Sequence, residues 1–262
     1  MQTVELAFER FGEPQATTPL LILHGFFASA RNWRGMAKQL AEDRQVYVLD
    51  MRNHGISPHA AIMDYPSMAA DVRAFMQQHN IAQADFLGHS MGGKIAMWLA
   101  LNHPERVNKL LIADISPVRY SHSFDNTIQA LRDLPLAELG NRKQAEAWLA
   151  TAIADLGYRQ FLLQNLVLEN GVYRWRVNLD YFHNNAHYIV GFPDGSGLNP
   201  YPDSALFLSG EASSYIRRDA IYQRFPKAEI VELAGTGHWL HVDAPAVFLG
   251  LVGDALIMGS DV

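Results

Sequence analysis

Apolar residues along the chain fall into short unbroken runs separated by stretches with helical spacing. Leu20-Leu21-Ile22-Leu23 follows Pro19 and stops at His24-Gly25, and Val46-Tyr47-Val48-Leu49 ends at Asp50. Ala84-Asp85-Phe86-Leu87 leads into Gly88 and Leu110-Leu111-Ile112-Ala113 into Asp114, while Ala205-Leu206-Phe207-Leu208 and Ile230-Val231-Glu232-Leu233 complete the set. Runs of this length suit parallel strands buried on both faces of a sheet. Val4, Leu6 and Phe8 alternate with polar neighbours instead, which predicts a half-exposed strand within the first ten residues.

Helical stripes lie between the runs: Met68, Val72, Phe75 and Met76 after Pro66-Ser67, Ile95, Trp98 and Leu99 after Gly92-Gly93, and Val247, Phe248, Leu251 and Val252 near the end. Strand–helix alternation predicts an α/β fold with a mostly parallel, doubly wound sheet, whose sites lie at the carboxyl ends of the strands. One stretch breaks the alternation. Across residues 117–192 the spacing is helical (Ala145, Leu149, Ile153, then Phe161, Leu162, Asn165, Leu166), aromatic residues are dense, and the exit is Phe192-Pro193-Asp194-Gly195-Ser196-Gly197. This pattern predicts a helical cap over 117–192, inserted before the penultimate sheet strand, with 1–116 and 193–262 forming the core.

Composition narrows the function. With 262 residues, 49% hydrophobic and 18% charged, the chain accommodates one large domain carrying an inserted lid. Lysine plus arginine is 21 against 27 acidic residues, a net charge of −6, and no basic cluster suggests a nucleic acid or an anionic membrane as partner. The absence of cysteine removes disulfide scaffolds, thiolate zinc sites and cysteine nucleophiles. No apolar run approaches the ~18 residues of a membrane span. The first residues lack the basic and apolar regions of a signal peptide, so a cytoplasmic location is expected. His183 and His187 are four apart, but neither a glutamate pattern nor a third ligand accompanies them, and no metal or cofactor is expected.

The chemistry concentrates at Gly88-His89-Ser90-Met91-Gly92, which follows an apolar run and opens a helical stripe. That is the strand–turn–helix setting of a nucleophile elbow, where a sharp turn lifts the serine hydroxyl out of the sheet. A serine needs a base. His238, in Gly235-Thr236-Gly237-His238-Trp239 after the last apolar run, is the candidate, and His241 is its nearest rival. The acid that orients the histidine usually follows the penultimate strand, but Ser213 stands at that position and Glu211, directly after Gly210, is poorly aimed. Asp114 lies at the tip of the strand after the elbow helix, and a right-handed crossover places that strand beside the serine's own. Asp114 is therefore the preferred acid and Glu211 the alternative, with a turn-capping role at Ser116-Pro117 as Asp114's structural explanation. Oxyanion donors are expected from the backbone of Met91 and of Phe26, or of Phe27 if the loop after Leu23 is shifted by one residue. Phe27, His89 and Trp239 are candidates for the pocket wall, although the position of His89 within the elbow suits a spacer aimed away from the nucleophile.

These pieces resemble the α/β-hydrolase superfamily: His24-Gly25-Phe26, the stretch from Asp50 to Ser57, Gly88-His89-Ser90-Met91-Gly92-Gly93-Lys94, and Gly237-His238-Trp239. The Arg52-Asn53-His54-Gly55 core, Gly93-Lys94 and Asp114-Ile115-Ser116-Pro117-Val118 are similar to the YbfF-type esterases. The resemblance implies a small helical cap, hydrolysis of acyl esters and thioesters including acyl-CoA types, and an acid after the strand that follows the elbow. Haloalkane dehalogenases and epoxide hydrolases of this superfamily carry an aspartate at the elbow, which Ser90 disfavours. The reading is a serine hydrolase of a small-molecule acyl ester or thioester. A carbon–carbon hydrolase or cofactor-free lyase on the same triad is the alternative, and a non-catalytic binding module is a third, disfavoured by the intact triad. Arg119, Tyr120, Arg217 and Arg218 are candidates for meeting an anionic leaving group at the mouth, against the commoner role of solvated surface arginines.

Overall fold

A computed structural model describes residues 2–15 and 17–257. Nine strands are present among the described residues: β1 (Phe8–Phe11), β2 (Leu20–Leu23), β3 (Val46–Leu49), β4 (Ala84–His89), β5 (Val107–Ala113), β6 (Leu166–Glu169), β7 (Val172–Trp175), β8 (Ala205–Gly210) and β9 (Ala228–Leu233). The main sheet has the order β1-β3-β2-β4-β5-β8-β9, with every pair parallel except β1–β3. All four side chains of β2 and of β3 are buried, as unbroken apolar runs require between two helical layers.

Strand alternation sorts these side chains into two cores. Leu21, Leu23, Tyr47 and Leu49 face one side with α2 (Tyr65–Gln78) and α3 (Met91–Asn102). Leu20, Ile22, Val46 and Val48 face the other with α1 (Arg34–Leu40) and α10 (Pro245–Ile257). The helix predicted from Met68 begins at Tyr65, where Asp64 caps it by accepting from the Ser67 N–H (2.8 Å) and Pro66 sits in the first turn. The first strand departs from its predicted place. It starts only at Phe8, because Val4 N–H is taken by Asp71 Oδ1 and Ala7 N–H by Ser57 Oγ, side-chain partners that replace a ladder.

Between β5 and β8 the chain leaves the sheet. It builds α4 (Asp125–Arg132), α5 (Arg142–Leu149), α6 (Leu156–Leu163) and α7 (Leu179–Val190), mostly amphipathic helices whose buried faces carry Ile128, Leu131, Leu149, Leu162 and Phe182. It also holds an antiparallel hairpin, β6–β7, turned at Asn170-Gly171 with both residues at positive φ, which helical spacing through Leu166 did not anticipate. The chain then returns to β8, and α8 (Arg218–Arg224), β9, the short α9 (Leu240–Asp243) and α10 close the fold.

Candidate active site

Ser90 stands between β4 and α3 with φ 52° and ψ −117°, a left-handed conformation that costs a non-glycine residue on the order of 1–3 kcal/mol and persists only where surroundings impose it. The imposing contacts are close. A Cβ at Gly88 would lie 2.5 Å from Gly92 O, and one at Gly92 would lie 2.0 Å from Leu23 O, so only glycine lets the helix start this near the strands. Ser90 N–H is anchored to Ala113 O (3.1 Å) on the neighbouring strand.

The crossover places β5 beside β4, with Gly88 opposite Ile112 and His89 opposite Ala113. Asp114 at the tip of β5 is fully buried, also has positive φ (51°), and donates its N–H to Leu208 O of β8. Its Oδ1 accepts Gly210 N–H (3.0 Å), and its Oδ2 accepts His238 Nδ1–H (2.7 Å) and the Ser213 hydroxyl. Ser213 thus occupies the expected acid position but points its hydroxyl at the carboxylate that replaces one there. Glu211 is exposed and accepts Gly235 N–H (2.7 Å), bracing the histidine loop instead of contacting the histidine.

His238 is held on three sides. Asp114 fixes Nδ1, the Tyr215 ring stacks on the imidazole (centroids 4.2 Å, planes 29° apart), and His89 Nε2–H donates to the His238 carbonyl (2.8 Å). His89 is therefore no idle spacer but a brace of the histidine loop; burial, and then the neighbouring His238 and His241, push its pKa well down and keep it neutral. Tyr215 carried no motif in the sequence, and its carbonyl accepts from Ser116 Oγ and from Tyr120 Oη. His241 stacks on Trp33 (4.3 Å, 15°), and its Nδ1 is buried without a partner among the described residues.

The loop after β2 is braced by the segment that follows β3. Phe27 has φ 64° and donates its N–H to His54 Nε2 (3.3 Å), whose Nδ1–H goes to Arg52 O. Phe27 N–H is thereby occupied, which leaves Phe26 N–H as the donor of that loop to consider. Arg52 is buried in a two-pronged pair with Asp71 (2.6 and 2.7 Å), locking the segment to α2. The functional meaning of Arg52-Asn53-His54-Gly55 is thus a scaffold for the neighbouring loop.

Ser90, His238, Met91, Phe26, Phe27, His89 and Trp239 all line one cavity of about 430 Å³ between the sheet and the segment above it. Phe124, Phe161, Tyr65 and Ile189 supply much of its apolar wall. At its floor Lys94 is almost fully buried, with Nζ bonded to Val118 O (2.9 Å), Val190 O (3.2 Å) and Gly191 O (2.5 Å). Burial, and then Arg119, pull its pKa down to about 7. Tyr120 lines the cavity, but Arg217 and Arg218 are exposed outside it, and Arg217 spends its guanidinium on Ser214 O and Ile216 O. His183 and His187 are exposed on α7, and among the described residues no group of three or more His, Asp or Glu is placed to hold a metal. No helix among them is long and apolar enough to cross a membrane.

Comparison with known proteins agrees with this architecture. Residues 18–245 match the family described as alpha/beta hydrolase fold. The sn-1-specific diacylglycerol lipase of Xenopus tropicalis is 37% identical over 96% of this chain and 82% of its own length. Esterase YbfF of Escherichia coli is 34% identical over 88% of this chain and 90% of its own. The solved structure of a marine microorganism esterase superposes with a TM-score of 0.91 at 39% identity, covering 96% of this chain and 99% of that one.

Proposed function

The chain belongs to the alpha/beta hydrolase fold family, and we propose that it is a serine hydrolase cleaving carboxylic esters and thioesters through an acyl-enzyme. The observation that carries this reading is the pairing, in one cavity, of a serine at a strained elbow with a histidine whose Nδ1 lies 2.7 Å from a buried carboxylate. Esterase and lipase relatives spanning most of the chain support the ester-cleaving part. In this reading residues 117–192 form the cap, and 1–116 with 193–262 form the core.

Ser90 Oγ attacks the acyl carbonyl as His238 Nε2 takes its proton, and Asp114 stabilises the imidazolium while fixing its orientation. The N–H groups of Phe26 and Met91, the latter at the start of α3 where backbone donors are unpaired, receive the oxyanion. The leaving alkoxide or thiolate takes the proton back from His238. Water, deprotonated by the same histidine, then releases the acid and restores Ser90. The aromatic wall of the cavity accommodates an apolar acyl chain.

Nitrophenyl ester turnover and fluorophosphonate labelling test the reading together. Ser90→Ala is expected to lower kcat by on the order of 10⁴-fold or more and to abolish labelling. A fully active Ser90→Ala protein, or a label on another residue, would overturn it.

A further inference from the structure

A second cleft, of about 330 Å³, lies against the first and shares Phe27 and Asn32 with it as a common wall. Four of its nine lining residues are arginines, in a chain whose net charge is −6. Arg31 and Arg34 come from the core side, Arg142 from α5, and Arg176 from just beyond β7, so the cleft opens at the junction between the sheet and the segment above it.

Their charges are unequally balanced. Arg34 is held by both carboxylate oxygens of Glu9 (2.6 Å each). Arg31, Arg142 and Arg176 have no carboxylate within 4 Å among the described residues. Of the two acidic residues whose field reaches Arg176, Asp50 and Glu169, Asp50 already gives one oxygen to Ala30 N–H (2.7 Å) and the other to Ile56 N–H (3.0 Å). Burial first, then Arg31 and less strongly Arg142, lower the pKa of Arg176, and the opposing pull of Asp50 and Glu169 does not offset them. The guanidinium of Arg142 is also pre-aimed: its two terminal nitrogens are tied to the carbonyls of Leu163 and Leu166. Asn32 Nδ2 to Gln164 Oε1 (2.7 Å) and Asn165 Nδ2 to Phe27 O (2.8 Å) stitch the common wall across the same junction.

We propose that this cleft is a phosphoryl-binding subsite, in which Arg31, Arg142 and Arg176 hold a phosphate group carried by the acyl ester or thioester that reaches Ser90. Arginine rather than lysine at all four positions suits phosphate, whose oxygens match the planar fork of a guanidinium in paired hydrogen bonds. The shared wall makes the two cavities neighbours, and the substrate meant is one long enough to place its carbonyl in the first and its phosphate in the second. This inference rests on Ser90 as nucleophile for its catalytic consequence, but not for the binding itself.

Two measurements separate those parts. Calorimetry with inorganic pyrophosphate on the Ser90→Ala protein reads binding without turnover; saturable binding is expected, weakened at least tenfold in a protein that also carries Arg31→Gln and Arg176→Gln. Turnover is read on two matched pairs: acyl-CoA against the acyl-N-acetylcysteamine thioester, and 1-acylglycerol-3-phosphate against 1-acylglycerol. In otherwise wild-type protein the double arginine variant is expected to reduce the preference in kcat/KM for the phosphorylated member at least tenfold, through KM. Loss confined to the first pair assigns a nucleotide thioester, loss confined to the second assigns a glycerophosphate, and loss in both assigns the phosphate itself. An unchanged preference in both pairs, or pyrophosphate binding that survives the double substitution, would overturn the subsite. Failure of Ser90 as nucleophile would show instead as an active Ser90→Ala protein, with the calorimetric result standing.

Discussion

Asp114 carries three hydrogen bonds on its carboxylate and none of them is exchangeable for water, because the residue has no exposed surface. Two come from neutral donors, Gly210 N–H and the Ser213 hydroxyl, and the third from His238. Asp114→Asn retains the shape but presents an amide where a carboxylate must accept, so the histidine is left in the wrong tautomer. Loss of kcat on the order of 10⁴-fold is expected for a nitrophenyl ester, with KM little changed. Ser213→Ala removes a single donor from the buried charge, worth about 1.5–3 kcal/mol. A fall in kcat of about tenfold and an altered pH–rate profile are expected, and a profile identical to wild type would deny Ser213 any part in holding the acid. Glu211→Gln, which leaves the Asp114–His238 bond in place, serves as the contrast. Loss of activity there and not in Asp114→Asn would reverse the assignment of the acid.

Helix α3 serves two tasks near its start. Its first turn presents the backbone beside Ser90, and one turn later Lys94 grips the chain both where it leaves the core, at Val118, and where it returns, at Val190 and Gly191. The ammonium also lies 4.7 Å from the Tyr120 ring centroid and 5.6 Å from that of Tyr65, so the grip is set among aromatic faces. Lys94→Met keeps the volume and removes the donor, leaving buried carbonyls unpaired. A stability loss of about 2 kcal/mol is expected in urea, together with faster limited proteolysis between 117 and 122 and between 189 and 197. Proteolysis spread evenly over the chain would show that Lys94 supports the core and not this junction.

At the scale of the whole molecule, acid should unfold the protein through its buried histidines. His24, His54, His89 and His241 all have pKa values lowered chiefly by burial, that of His241 to about 4. Such groups contribute stability that is fully present above their ordinary pKa near 6.5 and is lost as pH falls towards the folded value, because the unfolded chain binds protons that the folded one resists. Tm is therefore expected to fall steeply from pH 6.5 to 4. His241→Phe, which preserves the stack on Trp33 and removes the partnerless Nδ1, should recover about 3 kcal/mol of that loss. A pH dependence of Tm unchanged by this substitution would place the acid sensitivity elsewhere.

The mostly parallel sheet, the tight turn at Ser90 and the place of β5 beside β4 were legible because each depends on local chemistry: unbroken apolar runs for strands buried on both faces, glycines where a turn admits no Cβ, and a fixed crossover hand. The hairpin β6–β7 is also local and its Asn170-Gly171 turn stands in the sequence, but the helical spacing of apolar residues through Leu166 masked it. The true start of β1 was not legible, since its partner is distant in sequence, Val4 N–H bonding Asp71. Tyr215, Ser213 as a partner of Asp114, and the brace from His89 to the histidine loop belong to the same class. The Ser213 hydroxyl reaches Asp114 from 99 residues away and the His89 ring reaches the His238 carbonyl from 149, contacts that exist only after the sheet has formed. The sequence by itself determined the fold and offered an oxygen, an imidazole and two alternative carboxylates as candidates at the strand tips, because periodicity and turn chemistry act over a few residues. Only the tertiary structure decided which carboxylate faces the imidazole, what the arginines of an acidic chain surround, and how Lys94 joins both ends of the excursion, because burial and the geometry of hydrogen bonds between distant segments exist only once the chain has packed.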